Sequence, residues 1–113
     1  MYECKINENG ISGEIVFQGS LTIKNAASIK ECLSDVLFKV QDLFIDHNNA
    51  SEFDIIYMQL LVALYNSATL YNKTVKWSYP KLFITYVKDA GLSGIKCLTN
   101  NEIDKKFIEA NNG

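Results

Sequence analysis

The sequence predicts an α/β protein with a mixed β-sheet, and two observations support this prediction. Short strand-like segments alternate with longer segments whose apolar residues recur at helical spacing. The first two strand-like segments flank a turn signal, Asn9-Gly10, whereas the later ones are separated by helix-length segments. The expected order is β-β-α-β-α-β-α-(β)-α, with a sheet of about four to five strands.

Length and composition indicate one globular domain, residues 1–113. The chain has 113 residues, of which 48% are hydrophobic and 21% are charged. Eleven basic and thirteen acidic residues give a formal net charge of -2. No basic stripe is present to neutralise phosphates, which argues against nucleic-acid binding.

Cysteine usage and hydropathy predict a soluble cytoplasmic protein. Cys4, Cys32 and Cys97 are far apart, odd in number and form no C-x-x-C pair, so free thiols are expected. The first ten residues are polar and acidic, unlike a signal peptide. The polar residues that disfavour a membrane span in the long uncharged segment Ile55–Asn72 are Gln59, Asn66, Ser67, Thr69 and Asn72.

The first two strands are expected to form an antiparallel hairpin. Tyr2, Cys4 and Ile6 alternate with polar residues, as in a half-buried strand. In the second strand, Ile15 and Phe17 lie on one face.

A helix and a third strand follow the hairpin. The helix has Asn25 as its predicted N-cap, and its apolar positions share one face. These positions are Ile29, Leu33, Val36, Leu37 and Val40. The continuous apolar run Leu43–Ile45 predicts a strand covered on both faces, and the polar residues His47–Glu52 predict a loop.

The second helix begins after Asp54, a good N-cap, and carries no charged side chain from Ile55 to Asn72. One face is expected to pack on the sheet, and the other is expected to form an exposed interface. The sheet-facing set is Met58, Leu61, Tyr65 and Ala68, and the exposed set is Leu60, Leu64 and Tyr71.

The last elements are a strand, a third helix and a tail. Val75 and Trp77 face the same way in the strand. Pro80 suits the first turn of the third helix, and Gly91 suits its end. A weak strand is expected near Lys96–Leu98, and a short helix is expected over Glu102–Ala110.

Several short motifs occur in an order and spacing that resemble the STAS domain of anti-sigma factor antagonists and sulphate transporters. They are Gly19-Ser20-Leu21-Thr22-Ile23, Asn25-Ala26-Ala27, Phe44-Ile45-Asp46, Asp54, Gln59-Leu60-Leu61 and Ala90-Gly91-Leu92. The resemblance covers residues 2–95 and implies helices packed mainly on one side of the sheet. The Gln59-Leu60-Leu61 motif resembles the corresponding motif of a branch of the family, whose members are often found beside chemotaxis genes or in lipid-transport complexes.

One departure from the family pattern is informative. Phosphoswitched members have a serine two residues after the helix-opening Asp, and Ile56 stands at that position here. Tyr57 replaces the glycine that usually follows. Without a hydroxyl at position 56, the usual phosphorylation switch cannot operate.

The resemblance implies a non-enzymatic protein–protein interaction module of bacterial signalling, without cofactor or metal. Its partner would be an anti-sigma or kinase-like protein, a chemotaxis protein or a transporter-associated protein, and a homodimer is also open. The helix start and the preceding loop would form the contact. The expected contact residues are Asn49, Ser51, Glu52, Asp54, Ile55, Ile56, Tyr57, Gln59 and Leu60.

The sequence also bears on several other functions. A subunit of a lipid-transport ATPase complex and a nucleotide or small-ligand sensor stay open as alternatives. An aspartyl-phosphate receiver around Asp46 lacks the acidic pair that holds magnesium. His47 has no second histidine beside it and is interpreted as a loop residue. Ser51 and Ser78 are substitute phosphoacceptors at most, since local capping explains either hydroxyl.

Overall fold

The computed structural model describes residues 2–6 and 10–99, which form one mixed sheet with helices. The elements are β1 (Tyr2–Ile6), β2 (Ser12–Leu21), a 3₁₀ turn (Ile23–Asn25), α1 (Ala26–Lys39), β3 (Asp42–Phe53), α2 (Ile55–Leu70), β4 (Thr74–Trp77), α3 (Lys81–Asp89) and α4 (Lys96–Thr99). The sheet order is β1-β2-β3-β4. β1 is antiparallel to β2, and the other two pairs are parallel. The predicted α/β class, the hairpin and the parallel crossovers are confirmed.

The core lies on one face of the sheet. Ile15 and Phe17 of β2, with Leu43 and Ile45 of β3, are fully buried there. Phe44 lies between Leu43 and Ile45 in the chain and points to the opposite face, where it is only half-buried. The prediction that β3 is covered on both faces is therefore wrong. The alternation instead matches a sheet whose helices cover one side.

β1 is an exposed edge strand. All five of its residues are solvent-exposed, which contradicts the half-buried strand predicted from its alternation. A strand at the edge has a neighbour on one side only, and the ring of Tyr2 reaches inward to Phe17 at 6.0 Å between centroids.

α1 buries the face that its periodicity predicts. All five of its predicted core positions, Ile29, Leu33, Val36, Leu37 and Val40, are buried. Asn25 occupies the N-cap position, but its side chain makes no capping bond. The amide Nδ2 of Asn25 instead donates to the carbonyl oxygen of Ser20 at 2.8 Å.

β3 is much longer than its apolar run, because the segment predicted as a loop, His47–Glu52, continues the strand. This second half pairs with the end of β2, for example Gln18 with Asn49 and Ser20 with Glu52. Two register irregularities in the ladder accommodate the pairing.

α2 packs through a slightly different face than predicted. Met58, Leu61 and Ala68 are buried as expected, but Leu64 is buried in place of Tyr65, which is exposed. The Tyr65 ring instead lies at the edge of the core, 6.4 Å from the Trp77 ring. Leu64 is therefore not part of the exposed apolar side that was predicted for this helix.

The ends of α2 and α3 follow helix-stop chemistry. Asn72 and Gly91 have φ of 58° and 75°, the left-handed conformation of a C′ residue. The amide of Leu92 bonds to the carbonyl of Val87, which completes a Schellman motif after α3. Gly91 thus ends its helix as predicted, and Pro80 is the N-cap rather than a residue of the first turn.

The chain after α3 forms no further strand among the described residues. Lys96–Thr99 is a short helix, so the weak strand expected near Lys96–Leu98 is wrong. The buried side chain of Leu98 anchors this turn to the core. The helix predicted over Glu102–Ala110 lies outside the described residues.

Candidate functional site

Asp54 connects the first turn of α2 to the segment that follows β2. Its Oδ1 accepts a hydrogen bond from the backbone amide of Tyr57 at 3.0 Å, as an N-cap does. Its Oδ2 accepts from the backbone amide of Ile23 at 2.8 Å. A carboxylate at a helix N-terminus also interacts favourably with the helix dipole. One side chain therefore fixes two separate backbone segments.

A second set of polar contacts holds the neighbouring strand ends. The Ser20 hydroxyl donates to Oε1 of Glu52 at 2.7 Å, across the paired ends of β2 and β3. The side-chain amide of Asn25 also donates a hydrogen bond to the backbone carbonyl oxygen of Ser20. Asp54 and Glu52 consequently lie on the same end of the sheet as Ile23.

Two isoleucines expose apolar surface on either side of Asp54. Ile23 is 67% exposed and Ile55 is 42% exposed. We call the patch formed by Ser20, Ile23, Glu52, Asp54 and Ile55 the Asp54 surface. Its apolar side chains are exposed while its backbone is held by the Asp54 carboxylate.

The predicted contact residues separate into three groups. Those exposed to solvent are Asn49, Ser51, Glu52, Ile55 and Gln59. Asp54, Ile56 and Leu60 are half-buried, and Leu60 lines a groove between α1 and α2. Tyr57 is buried, so its side chain is not part of the surface. Sequence reasoning missed Ile23, although it lies in the motif Gly19–Ile23 that precedes the first helix.

Directly beneath this surface lies a buried polar network. The Tyr57 hydroxyl is 2.6 Å from Nε2 of His47, and Nδ1 of His47 is 3.1 Å from the carbonyl oxygen of Ser78. The backbone amide of His47 donates to the Ser78 hydroxyl at 2.8 Å. His47 has an exposed fraction of 0%, so its interpretation as a loop residue is wrong.

The hydrogen-bond partners and the burial of His47 together define its protonation state. The carbonyl oxygen of Ser78 can only accept, so Nδ1 carries the proton and donates. Burial favours the neutral ring, in which Nε2 accepts from the Tyr57 hydroxyl. Burial lowers the pKa of His47 to about 4, despite the opposing effects of Ser78 and Asp46. Burial likewise raises the pKa of the Tyr57 hydroxyl well above its ordinary value.

Aromatic rings enclose this network. The His47 ring stacks on Phe83 of α3 at 5.1 Å, and Phe53 meets it edge-on at 5.6 Å. The alternation Leu43, Ile45, His47 on one face of β3 was the sequence signal for this burial. It was overlooked because the residues after His47 have loop composition.

The described residues offer no constellation for metal-dependent chemistry. Residues 2–6 and 10–99 contain no group of three or more His, Cys, Asp or Glu side chains that could hold a metal ion. Ser78 uses its hydroxyl and its carbonyl oxygen to bind His47, which makes it a structural residue. None of the helices described is long and apolar enough to cross a membrane.

Comparison with solved structures places this geometry in a known fold. SpoIIAA of Bacillus, an anti-sigma factor antagonist in its unphosphorylated form, matches 100% of this chain and 99% of its own, with a TM-score of 0.65 and 13% identity. An anti-sigma factor antagonist from Mycobacterium paratuberculosis matches 92% of this chain and 88% of its own, with a TM-score of 0.68 and 14% identity. An antisigma-factor antagonist STAS domain from Rhodobacter sphaeroides matches 68% of this chain and 83% of its own, with a TM-score of 0.56 and 14% identity.

The similarity is one of fold and not of close sequence. No protein-family model matches the chain, and no curated protein matches its sequence. The molecule has the STAS fold, as its motifs predicted.

Proposed function

We propose that this protein is a non-enzymatic interaction module of bacterial signalling, similar in action to an anti-sigma factor antagonist. Its partner is a protein that contacts the Asp54 surface and the exposed end of β3 before it. The observation that carries this proposal is the exposure of Ile23 and Ile55 on both sides of a carboxylate held by two hydrogen bonds. Apolar side chains on a fixed backbone bind at a lower entropic cost than mobile ones.

The Asp54 surface combines the two features that a protein interface needs. The apolar side chains of Ile23 and Ile55 can be desolvated by a partner, while Ser20, Glu52 and Asp54 supply a polar rim. Asn49, Ser51 and Gln59 extend this rim with exposed polar side chains. The Asp54 surface suits protein recognition better than catalysis, because it does not pair a general base with a nucleophile.

Partner binding by this surface does not depend on serine phosphorylation. Ile56 stands where related switch proteins carry the serine, and its side chain is half-buried. The only hydroxyl in the turn Ile55–Tyr57 belongs to Tyr57, and it is buried against His47. We therefore expect constitutive binding, or regulation at another position.

The nucleotide-sensor alternative has less support. A phosphate at the start of α2 would need the free amides of the first turn. Asp54 already occupies the amide of Tyr57, and Glu52 adds a second negative charge nearby. The lipid-transport alternative uses the same kind of surface, and the identity of the bound protein distinguishes it from signalling.

The test is quantitative capture of partners by the tagged chain from the cells in which it is naturally made. Ile55→Asp and Ile23→Asp place a charge on the Asp54 surface, and Ile11→Asp is the matched control. Ile11 is 52% exposed and precedes β2, at the opposite end of the sheet from Ile23. We prefer Ile55 to Ile56 because the half-buried Ile56 would confound binding with folding.

A protein that binds the wild type and Ile11→Asp, but neither of the other variants, supports the proposal. The same pattern must then be reproduced with the purified pair. A partner retained by all three variants contradicts the assigned surface. If the captured protein is a second copy of the chain, the surface is a homodimer interface and the signalling-partner proposal fails.

A further inference from the structure

A groove of about 470 Å³ runs between α1 and α2, away from the Asp54 surface. Its walls are Leu33 and Leu37 on one side and Leu60 and Leu64 on the other. Sites for small molecules are typically apolar clefts of roughly 300–1,000 Å³ with a few polar groups. The groove meets this description in both size and lining.

One end of the groove leaves unusually large apolar surface in water. Phe38, near the end of α1, is 86% exposed, and Tyr71, after α2, is also exposed. Lys73 holds this end together, because its ammonium donates to the carbonyl oxygens of Leu37 at 2.5 Å and Phe38 at 3.1 Å. The positive charge of Lys73 therefore interacts favourably with the C-terminus of α1, and its alkyl stem adds to the apolar wall of the groove.

The other end carries a positive charge. Lys30, in the first half of α1, lines the groove and lies about 12 Å along the helix from Phe38. Among the described residues that line the groove, none is acidic. The two serines of the lining, Ser34 and Ser67, are neutral. The groove thus combines an apolar track with two lysines, of which Lys73 is bonded to backbone carbonyl oxygens at the Phe38 end and Lys30 lies at the other end.

We propose that this groove binds a medium-chain alkyl carboxylate, a free fatty acid. Its carboxylate lies at Lys30, and its alkyl chain lies between the leucines of α1 and α2 and reaches Phe38. The charge of the head group matches Lys30, and the apolar tail covers the exposed ring of Phe38. A cationic amphiphile would fill the same track but would meet Lys30 with a like charge.

Calorimetric titration of the whole chain with hexanoate, octanoate and decanoate, below their micelle concentrations, tests this proposal. Affinity should rise roughly fourfold with each added methylene, since each one is buried between the helices. Decyltrimethylammonium, with a chain matched to decanoate and the opposite charge, should bind at least about tenfold more weakly.

Two pairs of variants locate the site. Ser67→Trp fills the groove and should abolish decanoate binding, whereas Asn66→Trp, on the adjacent position outside this groove, should not. Lys30→Gln should weaken decanoate binding roughly threefold to tenfold. Lys39→Gln, which removes a charge from the same helix outside the groove, should leave the affinity unchanged. Circular dichroism confirms that each variant is folded.

Three results overturn the proposal. The first is no saturable binding of decanoate, and the second is equal binding of the cationic amphiphile. The third is a wild-type dimer, seen by analytical ultracentrifugation, that Ser67→Trp dissociates. That third result assigns the groove to a second copy of the chain instead of a fatty acid.

Discussion

The Asp54 surface and the His47 network lie one above the other, yet they depend on polar groups in opposite ways. On the Asp54 surface, the bonds of Asp54, Ser20 and Glu52 lie at exposed or half-exposed positions. In the network, His47 and Tyr57 are enclosed by aromatic rings. Water can replace a lost partner in the first region but not in the second.

The comparison shows how a small domain can separate recognition from stability. Ile23 and Ile55 on the Asp54 surface can change without leaving a buried polar atom unsatisfied, because their exposed side chains are apolar. Any change in the network leaves a donor or acceptor without a partner in a medium of low dielectric. The two regions meet at Asp54 and Tyr57, which are joined by the N-cap bond.

The largest loss of stability is expected for His47→Ala. The substitution leaves the Tyr57 hydroxyl and the Ser78 carbonyl oxygen without their partner and opens a cavity beside Phe83. The free energy of unfolding at pH 7 should fall by about 3 kcal/mol or more. Urea denaturation followed by circular dichroism measures this change. A loss below about 1 kcal/mol would show that the network contributes little.

Acidic pH should weaken the fold through the same histidine. The pKa of His47 is about 4 in the folded state against an ordinary value of 6.5, so the unfolded chain binds the proton first. The contribution of the neutral His47 to the free energy of unfolding is complete above pH 6.5 and is lost progressively as the pH falls from 6.5 to 4. Over this range the loss amounts to about 3 kcal/mol.

Carboxylates also titrate near the lower end of this range, so the wild type must be compared with a variant that lacks the imidazole. Urea denaturation between pH 4 and 7 should show a smaller decrease in stability for His47→Asn than for the wild type. Parallel curves for the two proteins would contradict the burial of a neutral His47.

Tyr57→Phe should have an intermediate effect. The substitution keeps the ring, including its contacts with Phe17 and Phe53, and removes only the hydroxyl that donates to His47. Unfolding should become easier by about 1–2 kcal/mol, because Nε2 of His47 is left buried without a donor. Tyr65→Phe, at an exposed position on the same helix, is the control. If the two substitutions had equal effects, the buried hydrogen bond between Tyr57 and His47 would contribute no more to stability than an exposed hydroxyl does.

A smaller loss is expected for Asp54→Ala, which breaks the cap of α2 and the bond to Ile23. Stability should decrease by about 1 kcal/mol, as for other N-cap substitutions. Asp54→Asn retains one accepting oxygen for the amide of Tyr57 but presents an NH2 group to the amide of Ile23, so it should recover only part of this loss in thermal or urea unfolding. If Asp54→Asn is as unstable as Asp54→Ala, then the cap bond to Tyr57 contributes little, and the bond to Ile23 together with the negative charge is the stabilising feature.

The sequence predicted the elements whose chemistry is local. The buried face of α1, the cap by Asp54 and the end of α3 at Gly91 follow from periodicity and from residue-specific backbone preferences. At least one residue of the apolar turn Ile55–Tyr57 was expected near the surface, because three consecutive helical residues cannot all face the core, and Ile55 is the exposed one.

What sequence reasoning missed depends on pairing between distant segments. The segment His47–Glu52 is polar, and it forms a strand because the end of β2 supplies a hydrogen-bonded neighbour. No local preference of these residues indicates that neighbour. The hydrogen bonds of His47 also join distant segments, since its partners Tyr57 and Ser78 come from α2 and from the residue after β4. Ile23 was missed because its exposure depends on how the turn after β2 meets Asp54.

We conclude that the exposed isoleucines of the Asp54 surface, Ile23 and Ile55, serve a protein partner without contributing appreciably to folding. The most direct test of this conclusion is the dissociation constant of the purified partner complex for Ile55→Asp, compared with Ile11→Asp, together with urea unfolding of both variants. We expect at least about tenfold weaker binding for Ile55→Asp alone, and a free energy of unfolding within about 0.5 kcal/mol of the wild type for both variants. Unchanged affinity, or a large loss of stability in Ile55→Asp, would contradict this conclusion.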